Sequence, residues 1–399
     1  MNFNEMKNFY HDHLMDVMDF WMKSDLVDKK YGGCITCIDR EGRSYNNEKS
    51  GWFQGRCLWT FSALCKKYGI NDGWMQAAQA AKDFLEKYCT DTDGRMYFTL
   101  AQDGTPIRKR RYFYSESFFV ISMAEYGSLM NDKAALDAAE KCYQMMIDIY
   151  KDASSDPFKI TPKAYSNDCA AAVPMVLFSC SQILGRCIPE KAEYYSKITR
   201  EIIDNMLRLH YDKDRNRIRE TVKADGGFID SPAGRLINPG HSCENAWFMM
   251  NYAVSVKDKE LLKTALDILD GALEEGLDKQ YGGIIYFSDI DGRPCDPLEW
   301  DMKLWWVHCE ALIGTIYAYA LTKDEKYLKQ FESLHEYTFS HFPDKQFGEW
   351  YGYLHRDGTV SHTQKGSMWK GPYHLPRALM TIERIFEAIE NGETDFCIL

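Results

Sequence analysis

The sequence has no run of 18 apolar residues, so no segment of it is predicted to cross a membrane as a helix. Its first twenty residues, MNFNEMKNFYHDHLMDVMDF, carry charges throughout and lack an apolar core, so no secretory signal is expected. No lysine- and arginine-rich stripe is present. The densest basic run is Arg108-Lys109-Arg110-Arg111, in a chain with 48 basic and 59 acidic residues and a net charge of −11. That balance argues against a nucleic-acid groove. The phosphate-cradling pattern G-x-x-x-x-G-K-[ST] is missing, as are G-x-G-x-x-G and G-x-S-x-G. Their absence removes a Walker ATPase, a Rossmann dehydrogenase and an α/β-hydrolase. The 13 cysteines are scattered singly apart from Cys34-x-x-Cys37. They read as reduced thiols of a cytoplasmic protein, and no metal site is expected from them.

No Pro- or Ser-rich linker divides the 399 residues. A single core usually stops growing at about 250–300 residues, so a chain of this length holds several domains or one closed repeat. A repeat is visible. Extended segments ending in an acidic residue and Gly recur: Tyr31-GGCITCIDREG, Arg95-MYFTLAQDG, Arg217-IRETVKADG, Gly282-GIIYFSDIDG and Gly348-EWYGYLHRDG. Each predicts a β-hairpin closed at its Gly. The turn glycines stand at 42, 104, 226, 292 and 358, spaced by 62, 122, 66 and 66 residues. The long gap is two periods of 61, so one hairpin is replaced by a loop near residue 165.

Between the turns run amphipathic helical patterns, beginning at Trp74, Ala134, Lys191, Lys259 and Glu325. More apolar helices follow the turns, from Cys57, Phe118, Ala170, Asn245, Ala311 and Pro376. The amphipathic members suit an outer ring and the apolar members an inner one. The expected fold is all-α: a single domain over 1–399, an (α/α)6 barrel of about 12 helices with short β-hairpins between them. A linear helical solenoid is the alternative.

Counting forward from each turn glycine reaches a polar and aromatic cluster at the start of the next inner helix. The clusters hold Trp52 and Arg56; Arg111 and Glu116; His241 and Glu244; Trp306, His308 and Glu310; and Trp369, Lys370, His374 and Arg377. Asn167 and Asp168 take that phase in the repeat without a hairpin. In a closed barrel these clusters converge at one end. His241 and Glu244, three apart, share a helix face, where a packed histidine is as good a reading as a reactive one. His374 follows Pro372 into a helix N-terminus, whose dipole favours a neutral imidazole able to act as a base. Arg56 enters an apolar helix beside Gly55, which points to a buried guanidinium.

The segments Gly51-WFQGRCLWTFSAL, Arg111-YFYSESFF, Ala171-AVPM, Gly240-HSCENAW, Lys303-LWWVHCEAL and Lys370-GPYHLPR resemble, in this order, the N-acylglucosamine 2-epimerase (renin-binding protein) family. The resemblance implies an (α/α)6 barrel, a homodimer, and reversible interconversion of N-acetylglucosamine and N-acetylmannosamine. It implies no required cofactor and the option of ATP as an activator that is not consumed. By that resemblance His241 and His374 are the two bases that remove and return the C2 proton. Arg56 would stabilise the enolate. Trp52, Glu116, Asn167, Glu244, Trp306, His308, Glu310, Trp369, Lys370 and Arg377 would bind the sugar, Glu244 and Glu310 either by holding its hydroxyls or by orienting the histidines. Epimerisation of cellobiose or mannose, or aldose–ketose isomerisation, remains open within the superfamily. A glycoside hydrolase using two of the carboxylates, or a binding protein that has lost its chemistry, remains open outside it.

Overall fold

The computed structural model describes residues 1–110, 112–158 and 168–399. Among them are twelve long α-helices and one single-turn helix. The inner ring consists of α2 (Gly51–Tyr68), α4 (Tyr114–Met130), α6 (Ala172–Cys187), α9 (Pro239–Val256), α11 (Trp305–Thr322) and α13 (His374–Glu390). The outer ring consists of α1 (Phe3–Lys23), α3 (Asp72–Phe84), α5 (Lys133–Lys151), α7 (Ala192–His210), α10 (Lys259–Gly276) and α12 (Glu325–His341). Helix α8 (Pro232–Arg235) is the short one.

The two rings differ as their sequences do. Helix α11 is buried on every side from Trp305 to Ala320, as a helix apolar all round must be. Helix α5 buries one stripe, including Ala135, Ala139, Tyr143 and Met146. Three inner-to-outer turns are built alike. A left-handed residue (Asn131, Lys257 or Lys323) ends the inner helix, and the next residue, an Asp, caps the outer one. Such a cap is worth about 1 kcal/mol.

All five turn glycines of the repeat have φ between 71° and 92°, the left-handed region that these turns require. The strand partners refine the sequence reading. Strands β1 (Cys37–Ile38) and β2 (Ser44–Asn46), β4 (Tyr97–Leu100) and β5 (Pro106–Lys109), and β13 (Tyr353–Leu354) and β14 (Val360–His362) form hairpins as expected. At Gly226 and Gly292 the arm pairs with an earlier repeat instead. Strand β9 (Thr221–Lys223) lies on β6 (Asp168–Ala170), and β11 (Ser288–Asp289) on β10 (Leu236–Ile237). The same cross-repeat pairing joins β3 (Lys49–Ser50) to β4 and β12 (Lys303–Leu304) to β13. In each case the strand leading into an inner helix is tied to the next repeat.

The last repeat is tied to the first in this way. Lys365 and Gly366 donate backbone bonds to the Ile38 carbonyl at 3.0 and 2.9 Å. Helix α1 packs on α13, with Tyr10 and Phe386 ring centroids 5.8 Å apart. The ring is therefore closed, and the solenoid alternative falls. The sixth outer helix is α1, a segment that the sequence reading treated only as a charged N-terminus.

Three turns share the pattern Asp-Lys-[Lys/Gln]-[Tyr/Phe]-Gly. In each, one oxygen of the Asp (Asp28, Asp278 or Asp344) accepts backbone N–H groups of its own turn. The other oxygen faces a fully buried lysine (Lys49, Lys303 or Lys365) at 2.7, 3.2 and 3.1 Å. Two of these pairs pin a strand, β3 or β12, that delivers an inner helix to the rim, and the third pins the segment before α13. Burial alone would raise the carboxyl of Asp278, but Arg356, the turn amides and Lys303 outweigh it and hold it below the usual range. Its stabilisation is therefore present above about pH 4 and is lost as pH falls further. Asp278→Asn should cost about 2–3 kcal/mol at pH 7. Measured by denaturant unfolding, the gap from the parent should close progressively below pH 4.

Candidate active site

The cross-repeat strand pairs set the first turns of the inner helices around one mouth of the barrel. Helix α9 opens with Pro239, and Asn238 caps it by accepting the His241 N–H at 3.1 Å. A Cβ on Gly240 would stand 2.7 Å from the Trp306 ring, so only glycine lets α9 approach α11 this closely. The His241 ring then lies 5.2 Å from Trp306. The His374 ring, in the first turn of α13, lies 5.8 Å from the same indole. Both histidines flank Trp306.

Each histidine is held at Nδ1 by a carboxylate. Glu220 Oε2 lies 3.0 Å from His241 Nδ1, and Glu310 Oε1 lies 2.8 Å from His374 Nδ1. In the neutral ring, a proton on Nδ1 donated to the carboxylate leaves Nε2 as a lone pair; in the charged ring Nε2 carries the second proton. No Nε2 partner stands among the described residues for either histidine. The two environments differ in sign. Burial works to lower His241, but Glu220, with Glu244 and Glu310 behind it, outweighs burial and raises its pKa above the ordinary imidazole value. Burial drives His374 well below that value, and the positive charges of Arg377 and Arg56 push it the same way.

Glu244, Glu310 and His374 bring ligand atoms within 4.8 Å of one another, a spacing that suits a metal. The positive charge among them is Arg377. Its Nη2 donates to Glu244 Oε1 at 2.8 Å and to Glu310 Oε1 at 2.6 Å. Trp247 Nε1 donates to the other oxygen of Glu310 at 2.9 Å. This network fixes Glu310, and through it the His374 ring.

Arg56 is buried on α2, where burial lowers its pKa to about 10. Its guanidinium lies 4.4 Å from the Phe118 ring, and Nη1 donates to the Trp369 carbonyl at 2.7 Å. Its Nε is buried with no partner among the described residues. Trp52 and Trp369 form the rim beside it, with centroids 5.5 Å apart, and Trp369 is 43% exposed.

Three of the expected sugar-binding residues are committed elsewhere. His308 is fully buried. Its Nδ1 donates to the Leu304 carbonyl at 2.8 Å, and Nε2 accepts the Ile284 N–H at 3.0 Å. With its pKa pushed down to about 3, mainly by burial, it is a neutral strut between α11 and the fifth-repeat turn. Glu116, also fully buried, pairs with Arg95 at 2.6 Å and accepts the Met96 N–H. Lys370 is buried against Glu349 at 2.7 Å. Glu244 stands differently from its expected place beside the histidines. It binds Arg377, and the carboxylate that orients His241 is Glu220. Asn167 and Arg111 lie outside the described residues. Glu220 was missed because it precedes the turn at Gly226, whereas the clusters were counted forward from the turns. Tyr286, whose ring meets Trp306 edge-on at 6.0 Å, was missed for the same reason.

Two carboxylate-held histidines at the mouth of an (α/α)6 barrel are an arrangement that suits acid–base chemistry. The family model described as N-acylglucosamine 2-epimerase (GlcNAc 2-epimerase) matches residues 33–378. The chain is 33% identical over 381 residues to the N-acylglucosamine 2-epimerase of Mus musculus, covering 94% of this chain and 90% of the relative. The human N-acylglucosamine 2-epimerase is also 33% identical, over 382 residues, 94% of this chain and 88% of the relative. In fold, the cellobiose 2-epimerase of Bacillus thermoamylovorans B4167 superposes with a TM-score of 0.83 at 24% identity, covering 96% of this chain and all of that one. The chain belongs to the N-acylglucosamine 2-epimerase family. It is a carbohydrate epimerase, an isomerase.

Proposed function

We propose that this chain interconverts N-acetyl-D-glucosamine and N-acetyl-D-mannosamine by passing the C2 proton between His374 and His241. The observation that carries the reading is the opposed electrostatics of two carboxylate-held histidines around one indole. Inverting a carbon beside a carbonyl needs a lone pair on one side and a proton on the other. His374 is shifted toward the neutral form and His241 toward the protonated one, the directions that this division of labour needs.

In the open-chain aldehyde, His374 Nε2 takes the proton from C2. The electron pair of the C–H bond becomes the C1–C2 double bond, and charge passes to O1. Arg56, charged at neutral pH and carrying a donor with no partner among the described residues, stabilises that oxyanion. His241 Nε2 then delivers a proton to the other face of C2, and the ring closes. Exchange with solvent resets the pair, and the reverse reaction runs with the roles swapped. Glu310 and Glu220 keep each ring in the tautomer that presents Nε2. Trp306 offers an apolar face to the sugar. None of these steps calls for a metal, redox cofactor or nucleotide.

The amino-sugar substrate rests on the 33% identity to the mouse and human enzymes over nearly the whole chain. A hydrolase reading is weakened because Glu244 and Glu310 both bond the same nitrogen of Arg377. The test is proton NMR of the purified protein with N-acetylglucosamine in D2O, with and without ATP. Growth of N-acetylmannosamine bearing deuterium at C2 is the expected result, and a faster rate with ATP would mark the nucleotide as an activator that is not consumed. Exchange on cellobiose or mannose alone would move the substrate to a sister branch, and exchange on none would end the two-base reading.

The pH dependence follows from the two shifts. Activity needs one proton on the pair, so it should fall below the lowered His374 value and above the raised His241 value. Both directions should share one plateau, broader on each side than an ordinary imidazole would set. Glu220→Gln removes the charge that raises His241, so the alkaline limb of kcat/KM should move to lower pH while the acid limb stays. An unmoved alkaline limb would show that Glu220 does not tune His241.

A further inference from the structure

Arg110 has no part in the chemistry above, yet its side chain lies in the mouth of the site. Its guanidinium carbon is 4.0 Å from the Phe98 ring, 5.0 Å from Trp369 and 5.9 Å from Trp52. These three rings touch one another, at 5.1 Å for Trp52 and Phe98, 5.5 Å for Trp52 and Trp369, and 5.8 Å for Phe98 and Trp369. Trp52 is one helical turn before Arg56, and the Trp369 carbonyl accepts the Arg56 Nη1 bond. The aromatic box therefore adjoins the point where O1 charge would gather.

The Arg110 guanidinium has no carboxylate within ion-pair distance among the described residues, and its Nε is buried without a hydrogen-bond partner. Among the described residues, its guanidinium packs on the three π-faces, and its main-chain carbonyl accepts the Arg95 Nη2 bond at 3.4 Å. Arginine stacks flat on aromatic faces. Those faces are also the surfaces on which apolar sides of sugar rings pack. In this structure the box is occupied by the chain's own cation.

We infer that Arg110 makes this a monosaccharide site, by covering the aromatic surface on which a second, 4-O-linked sugar ring would otherwise stack. The inference rests on the amino-sugar reading above and names the size of substrate that the same site accepts. It explains how a barrel with an aromatic rim can refuse the reducing end of a longer glycan.

The test compares N-acetylglucosamine with N,N′-diacetylchitobiose, which keeps the same reducing-end residue and adds one ring. C2 epimerisation is followed by proton NMR for the parent and for Arg110→Ala. Binding of the reduced, unreactive N,N′-diacetylchitobiitol is followed by tryptophan fluorescence. The parent should turn over the monosaccharide and leave the disaccharide nearly untouched. Arg110→Ala should raise kcat/KM on the disaccharide by about tenfold or more and tighten chitobiitol binding to match, as a gained aromatic contact would. Its turnover of N-acetylglucosamine, within about threefold of the parent, doubles as the check that the variant folds.

A parent that already processes the disaccharide would overturn the inference. So would a variant with no gain on it, whether its monosaccharide KM is unchanged or raised. A raised KM would mean that Arg110 holds the single sugar itself. A parent inactive on N-acetylglucosamine would instead sink the proposed substrate, and the chitobiitol titration would still report on Arg110 alone.

Discussion

His241→Asn and His374→Asn should each slow interconversion of the two epimers by about 10³-fold or more, near the upper end for loss of an acid–base group. The more telling result is what survives. If each histidine serves one face of C2, a variant that keeps one of them still abstracts the proton of one epimer and returns deuterium to the same face. His241→Asn should therefore wash the C2 proton out of one epimer without converting it. His374→Asn should do the same for the other epimer. Asparagine preserves a polar group near Nδ1, so Glu220 and Glu310 keep a hydrogen-bond donor and the fold is not the variable. Deuterium incorporation at C2 of each purified epimer, read by NMR, separates the cases. If both variants exchange both epimers, a single mobile base does the work. Epimerisation within tenfold of the parent in either variant would remove that histidine from the chemistry.

Much of this architecture is legible in the residues. The Asp-Gly and Glu-Gly turns fix the period because only glycine is comfortable at the φ those turns impose. The inner and outer helices separate by whether apolar residues cover every face or one stripe, a difference that burial in a ring demands. Closure was less visible. It depends on Lys365 and Gly366 reaching the Ile38 carbonyl, a contact spanning more than 300 residues that no local pattern encodes. Helix α1 escaped notice because no turn precedes it, although its Tyr10, Leu14, Val17, Met18 and Trp21 form a helical stripe against the core.

The site shows where residue type stops being informative. His241, His308 and His374 occupy the same phase of three repeats. Their fates are set by what meets each ring: a Glu from the preceding turn, two main-chain groups, or a Glu on the adjacent helix. Glu116 and Lys370 likewise sit in phase with the pocket and are spent on Arg95 and Glu349, because a buried charge must find a partner first. The carboxylates that matter most, Glu220 and Glu310, are distinguished by an imidazole nitrogen within 3.0 Å. Sequence spacing places such groups near a mouth; it does not orient them.

Arg56→Met should lower kcat by about 10²–10³, the usual loss when one donor to a developing oxyanion is removed. KM for N-acetylglucosamine should change by only about threefold, since the interaction grows only as charge reaches O1. The reasoning is electrostatic. Arg56 lies between the Phe118, Tyr373 and Trp52 rings at 4.4, 5.4 and 5.7 Å, with one nitrogen on a carbonyl and another without a partner among the described residues. Burial lowers its pKa to about 10, so its charged form is already under strain at neutral pH and gains most from an anion. Methionine keeps the apolar contacts and removes the charge. The isotope pattern then separates this loss from loss of a base. Without the arginine, formation of the enolate is itself slow from either side, so C2 exchange in both epimers should fall together with interconversion. A variant that loses interconversion but still exchanges one epimer at the parent rate would mean that Arg56 acts on reprotonation, and the oxyanion would have to be held by another group.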